Sequence, residues 1–272
     1  MMAFLVSIAE VSPLLFGALL LFAQLIVYEV GIRLGLDSHR RGWQSEAAGI
    51  VVGGMMALLA FVLALTLTFA HTRYTERRQG TMTEANAIGT AWLRANAVGG
   101  PQGTEIARRI EEYNDLRKAF IQAKGETGDV AAINDRSTAM QSEIWGQLTQ
   151  LVREQPNPIS ASLMSALNEM FDASTSERFA FQMRLPSQIF WLLIAMAMLS
   201  MGCLGFQMGL KERPARVLVA LLSMMWTIVI VDILDLSAPR IGNFRTSAAL
   251  YDWNASSFKS GPAGPPATTG KP

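Results

Sequence analysis

The chain has 272 residues, 50% of them hydrophobic and only 17% charged, with a formal net charge of +1. A chain this apolar and this long is neither an ordinary soluble domain nor a simple anchor, and it reads as a polytopic membrane protein. The near-zero charge gives no clustered cations for a nucleic-acid partner. Cys203, the only cysteine, leaves no internal disulfide and no thiolate metal cluster.

Four runs are long enough to cross a hydrocarbon core of ~30 Å, which takes roughly 20 apolar residues at 1.5 Å each. They are about Val11 to Ile32, Ala47 to Ala70, Pro186 to Leu210 and Pro214 to Leu236. No basic residue precedes the first and no small-x-small cleavage site follows it before Arg33, so it reads as a retained span rather than a signal peptide. The expected fold is all-α: a polytopic membrane protein with four transmembrane helices and a helical soluble lobe between the second and third. Residues 1–70 make a first hairpin, 71–185 a lobe continuous with the second span, 186–236 a second hairpin, and 237–272 a C-terminal segment disordered from about 260.

In the second span Gly49, Gly53, Ala57, Ala60 and Ala64 follow one another at steps of three and four, drawing a helix-packing ridge of small side chains. Such a ridge lets another backbone come close, gaining van der Waals contact where lipid offers no hydrophobic drive. The bulky stripe beside it includes Leu58, Val62, Leu65 and Phe69. That stripe faces lipid or a neighbouring helix, or it forms the hydrophobic neck of a pore that gates by dewetting.

No Gly or Pro interrupts the stretch from Thr66 to Gln79, so one helix runs from apolar to charged, leaving the membrane as it does so. Arg73, Glu76, Arg77, Arg78 and Glu84 form a charged collar there. Arg73 and Arg77 are like charges one turn apart, which mildly destabilises a helix unless carboxylates or an anion sit nearby. The collar is a salt-bridged, headgroup-facing belt or else an anion vestibule; Glu111 and Asp115 are further possible partners.

The lobe is helical throughout, with Ile106, Ile110, Tyr113, Arg117 and Phe120 on one stripe, Ile144, Leu148 and Leu151 on another, and Leu163, Leu167 and Met170 on a third. Breaks fall at "VGGPQGTE", where Thr104 is a candidate cap, at "KGETGD" and at "EQPNPIS". Four lobe helices or fewer are expected. In the fourth span Asp232 and Asp235 share a face near its end, as a structural junction or an ion relay, and Gln24 and Glu29 in the first pose the same question. Cations near span ends nearly balance on the two sides, so charge does not orient the chain. His39 and His71 lack metal-ligand spacing, and no GxSxG, HExxH or P-loop is present. No metal, no cofactor and no enzymatic activity are expected.

The run "ALLAFVLALTLTFAHTRYTERRQGTMTEANAIGTAWLRA", together with "ALNEMFDASTSERFAFQMRLP", "GFQMG" and "DILDLSAPRIGNF", resembles the bestrophin-like family of membrane proteins. The likeness covers about Gly31 to Leu250. One departure is that Asp235 is followed by Ser237 and Pro239 where that family tends to have Asp-x-Asp-x-Pro. The family is distantly similar to bestrophins, pentameric anion channels whose second span lines a hydrophobic neck. The resemblance implies a homo-oligomer, a pentamer by analogy, in a lipid bilayer, passing small anions. It also implies a bacterial inner (plasma) membrane with the lobe and termini cytoplasmic. A non-conducting membrane sensor or assembly scaffold, whose lobe binds a partner, is the alternative.

Overall fold

The computed structural model describes residues 13–43, 46–123, 128–183, 185–240 and 243–261. Among them all regular structure is α-helical: α1 (Pro13–Arg40), α2 (Glu46–Val98), α3 (Gly100–Gln122), α4 (Gly128–Glu154), α5 (Pro158–Gln182), α6 (Ser187–Leu210), α7 (Arg216–Ser237) and α8 (Ala249–Ser260). α1, α2, α6 and α7 carry the four stretches long and apolar enough to cross a membrane. The protein is an all-α polytopic membrane protein. Residues 262–272, where a disordered tail is expected, lie outside the described residues.

The 53 residues of α2 form one unbroken helix, about 80 Å long at 1.5 Å per residue. Its hydroxyls are satisfied locally: Thr66 donates to the Val62 carbonyl at 2.7 Å, Thr68 to Ala64 at 2.9 Å and Thr72 to Thr68 at 3.0 Å. Polar side chains can therefore lie in an apolar run without seeking partners on other helices. The helix stops where Gly99 and Gly100 both take positive φ, 67° and 65°, a backbone geometry that side-chain-bearing residues resist. Thr104, expected as a cap, instead lies inside α3 and donates to the Gly100 carbonyl at 2.9 Å. The glycine pair had already ended one helix and begun the next. Asn157 does cap α5, accepting from Ile159 and Ser160 N–H in a capping box.

The chain divides into two units, Met1–Tyr74 with Arg184–Phe244, and Thr75–Met183 with Arg245–Pro272. In the membrane unit the closest helix pair is α1 with α6. Cβ atoms built at Gly31 and Gly35 would lie 2.3 Å and 2.2 Å from the carbonyl oxygens of Gly202 and Phe206. Those built at Gly205 and Gly209 would lie 2.1 Å and 2.3 Å from Tyr28 O and Ile32 O. Gly31-x3-Gly35 thus meshes with Gly205-x3-Gly209, in parallel and in register, with backbone against backbone. Phe16 and Phe190 meet farther along the same pair at 5.7 Å. At the short-loop end Arg216 of α7 grips both oxygens of Glu29 at 3.0 and 3.2 Å, and Gln24 donates to Thr227 Oγ1 at 3.0 Å. Gln24 and Glu29 of the first span are therefore cross-helix ties.

The ridge expected to pack α2 does not do so within the chain. Gly53, Ala57, Ala60 and Ala64 are exposed, and no atom lies within 4 Å of where a Gly53 side chain would begin. The stripe that packs instead is Val52, Leu59, Leu63, Thr66 and Ala70. Larger side chains fill more of the inter-helix space and bury more apolar surface, and the small-residue role falls to α1 and α6.

The lobe packs the α2 extension, α3, α4 and α5 around Ile88, Ile110, Tyr113, Leu148 and Leu167, all fully enclosed. To these it adds α8, which falls in the part of the C-terminal segment, before about 260, to which sequence reasoning gave no element. Tyr251 is wholly buried, Trp92 and Phe258 stack at 4.8 Å, and Lys118 pairs with Asp252 at 2.6 Å.

Candidate functional site

On α2 the bulky stripe points away from the other helices of the membrane unit, except at Val62, which packs against that unit's core. Leu58, Leu65 and Phe69 are 54%, 55% and 43% exposed, and Val62 is half-buried. The small ridge lies beside it, also uncovered except at Gly49, which abuts the Gln207 side chain. Of the four spans α2 is the least covered, 22% of its apolar window being buried against 39%, 39% and 33% in the others. Arg73 continues this surface, its guanidinium carbon 4.9 Å from the Phe69 ring centroid, a cation–π placement.

The structure divides the expected charged collar. Arg73 is half-buried and Glu76 and Arg78 are exposed, whereas Arg77 and Glu84 are 1% and 0% exposed inside the lobe. These last two are not a solvent-facing ring. Glu111, a possible collar partner from the sequence, accepts instead from Trp92 Nε1 at 2.8 Å.

Glu84 is the centre of a buried ionic cluster. Arg117 donates to it through Nε at 2.5 Å and Nη2 at 3.3 Å, and the Tyr251 hydroxyl donates to its second oxygen at 2.6 Å. The Arg117 guanidinium also stacks 4.2 Å from the Phe120 ring. Burial is the largest single influence on Arg117 and works against its charge, but Glu84's carboxylate together with Tyr113 and Tyr251 outweighs it and Arg117 is held protonated. Burial, reinforced by Glu84, raises the Tyr251 phenol far above its usual range and pushes Tyr113 up to about 12. Asn114 donates to the Tyr251 carbonyl at 3.0 Å, and Asn254 to the Ala85 carbonyl at 2.8 Å, so α8 is held by its backbone as well as its phenol.

Glu177 of α5 completes the cluster and is also fully buried. Thr81 hydrogen-bonds one of its oxygens, and the other occupies the space beside Gly80, where a Cβ would come within 2.1 Å. Burial pushes the Glu177 carboxyl up to about 8; Glu84's charge adds to this, and Thr81, Arg117 and Arg77 oppose it. Sequence reasoning passed over Glu177 and gave Arg117 no ionic role. The available signal was a charged residue on an apolar stripe: Arg117 three residues before Phe120, and Glu177 seven after Met170. Nothing local marks Tyr251.

Asp235 is buried, and its carboxylate accepts from the backbone N–H of Asn243 at 2.9 and 3.0 Å and of Phe244 at 3.5 Å. It is a cap for the segment after α7, and its loss of the second family aspartate at Ser237 leaves that role intact. Asp232 is half-buried on the same helix. Among the described residues no three His, Cys, Asp or Glu side chains gather as a metal site.

A family model, the bestrophin-like domain, matches residues 13–251. The chain belongs to the bestrophin-like family. No curated protein and no solved structure shows a match to it. In this bestrophin-like chain the matched region begins at the first residue of α1 and ends on Tyr251. It thus takes in all four spans and every member of the buried cluster around Glu84.

Proposed function

We propose that this bestrophin-like protein assembles into a ring of identical subunits and conducts small anions, with α2 lining the axis. The observation that carries the reading is the uncovered double face of α2. A ridge of Gly53, Ala57, Ala60 and Ala64 gains more from a neighbouring helix than from lipid, because only a close backbone supplies the missing van der Waals contact. With that ridge against the next copy, the adjoining stripe of Leu58, Val62, Leu65 and Phe69 forms a hydrophobic neck. Arg73, one turn beyond Phe69, would raise the local anion concentration at its mouth. By family analogy the ring is a pentamer in a bacterial inner membrane with the lobe and termini in the cytoplasm.

The test is native mass in mild detergent followed by anion flux from liposomes holding the purified protein. A ring that passes chloride, with a reversal potential that moves on Arg73→Glu, supports the reading. Monomers without flux would sink it. Arg77, enclosed in the lobe, is not expected to set selectivity.

One observation favours a second reading, a non-conducting sensor or scaffold. Arg77 and Glu84, the residues most suggestive of a charged vestibule, are enclosed in the lobe and unavailable to a permeating ion. A ring without flux, retaining a partner through the lobe, would favour this alternative.

A further inference from the structure

We propose that Glu177 is a proton-operated latch in the lobe: protonated, it fastens α5 to α2, and on ionising it releases the C-terminal turns of α5. This goes beyond the channel reading and does not depend on it.

The argument begins with donor counting. The Thr81 hydroxyl has one proton, yet it lies within hydrogen-bonding distance of the Arg77 carbonyl, at 3.1 Å, and of Glu177 Oε1. If Glu177 were a carboxylate, two acceptors would compete for one hydrogen. A protonated Glu177 resolves this, donating to Thr81 Oγ1 while Thr81 donates to Arg77; Thr81 opposes the raised titration only by turning its own proton to the carboxylate, at the expense of its bond to the Arg77 carbonyl. The second oxygen, Oε2, is buried without a hydrogen-bond partner among the described residues. It rests against Gly80, where a Cβ would lie 2.1 Å away. An ionised carboxylate would leave charge on that oxygen with no donor to meet it, a costly arrangement in a buried site.

The surrounding charges leave Glu177 as the group that moves. From α2 it is faced by Arg77 and Glu84, from α3 by Arg117, and from α8 by Tyr251, with Tyr113 of α3 acting on the same Glu84 and Arg117. Arg117 is engaged by Glu84 through Nε and Nη2. Tyr113 keeps its proton up to about 12, and the Tyr251 phenol is raised further still. Arg77 and Arg117 favour a charged Glu177, but burial and Glu84 prevail, bringing its titration to about 8. On ionisation, the hydrogen bond it donates to Thr81 is lost and two carboxylates share one buried site. Separation of α5 from α2 then lets water reach Glu177.

The test is hydrogen exchange of the full-length protein in detergent from pH 6.5 to 9.5, corrected for intrinsic exchange. Peptides covering 174–182 should lose protection as pH rises toward about 8, tending toward tenfold per pH unit, and level off above it, while peptides around Leu148 in α4 should not. Glu177→Gln keeps an amide N–H for Thr81 and cannot ionise, so the loss should disappear. In wild type, infrared difference spectra should show a protonated-carboxyl stretch that vanishes near pH 8 and is missing from the Gln variant. If that variant does not fold, Thr81→Val should shift the pH at which the wild-type infrared band disappears. Flat protection through pH 9.5, an unchanged pH profile in Glu177→Gln, or no protonated-carboxyl band at pH 7 would each overturn the latch.

Discussion

The hydroxyl of Tyr251 and the guanidinium of Arg117 share the Glu84 carboxylate, the first at 2.6 Å and the second at 2.5 and 3.3 Å. A residue of the last helix thereby completes an ion pair whose other two members come from α2 and α3. Tyr251→Phe removes the hydroxyl and little else. Because the acceptor is charged and buried, about 1.5–3 kcal/mol of lobe stability should be lost. Thermal melting reads the cost, and hydrogen exchange should show it concentrated in α8; an unchanged melt would mean the phenol is not holding that helix.

Breaking the ion pair itself should be more severe. Arg117→Met leaves Glu84 buried with only a phenol, and Glu84→Gln leaves Arg117's charge uncompensated. Each should cost about 3–5 kcal/mol. The double variant should cost less than the sum, because it buries no unmatched charge. Additive losses in denaturant melts would contradict this coupling.

Glycines on different helices should answer substitution in opposite ways. Gly205→Leu drives a side chain into the Tyr28 carbonyl, 2.1 Å from the first carbon, and should unfold the membrane unit or prevent its accumulation. At Gly53 a Cβ would meet nothing within 4 Å beyond the adjacent turns of its own helix, so Gly53→Leu should leave the subunit's melting within about 0.5 kcal/mol of wild type. If copies pack through that ridge, Gly53→Leu should nevertheless shift the native mass toward monomer. An intact assembly in this variant would move the subunit interface elsewhere.

Asp235→Ala strips the acceptor from two backbone N–H groups, those of Asn243 and Phe244. A loss of about 1–3 kcal/mol is expected for such orphaned donors. Asp235→Asn keeps one acceptor oxygen and should lose less. Because the role is structural, the proposed anion conduction, measured per folded protein, should be unaffected in both.

Stability should also fall with rising pH through the lobe's buried acid. Glu177 is raised from 4.5 to about 8 in the folded state, so folding takes up a proton between those values. Its stabilising contribution is fully present below pH ~4.5 and is lost progressively as pH rises through about 8, where the dependence flattens. Denaturant melts at stepped pH should show this slope in wild type and a shallower one in Glu177→Gln.

The positions of the spans were legible because a membrane-crossing helix announces itself locally, by about 20 apolar residues and few charges. The unbroken α2 was legible for the same reason: no Gly or Pro interrupts Thr66 to Gln79, and helix continuity is a local property. The small ridge on α2 was visible too, but its partner was not. Gly53 and Ala60 give a signal that depends only on spacing, and the same spacing at Gly31 and Gly35, and at Gly205 and Gly209, was passed over although it makes the close helix contact. Which of several small-residue stripes is used depends on which helices are neighbours.

Sequence by itself determined the all-α architecture, the four apolar helices and the family, because each is encoded in runs of residues read along one helix. Only the tertiary structure decided the fate of the charges. Arg77 and Glu84 look on α2 like members of one exposed collar with Arg73. Burial by α3, α5 and α8 turns them into parts of a closed cluster with Arg117, Glu177 and Tyr251. A charge's role depends on its dielectric surroundings and its partners, and the partners here come from chain positions up to 167 residues apart.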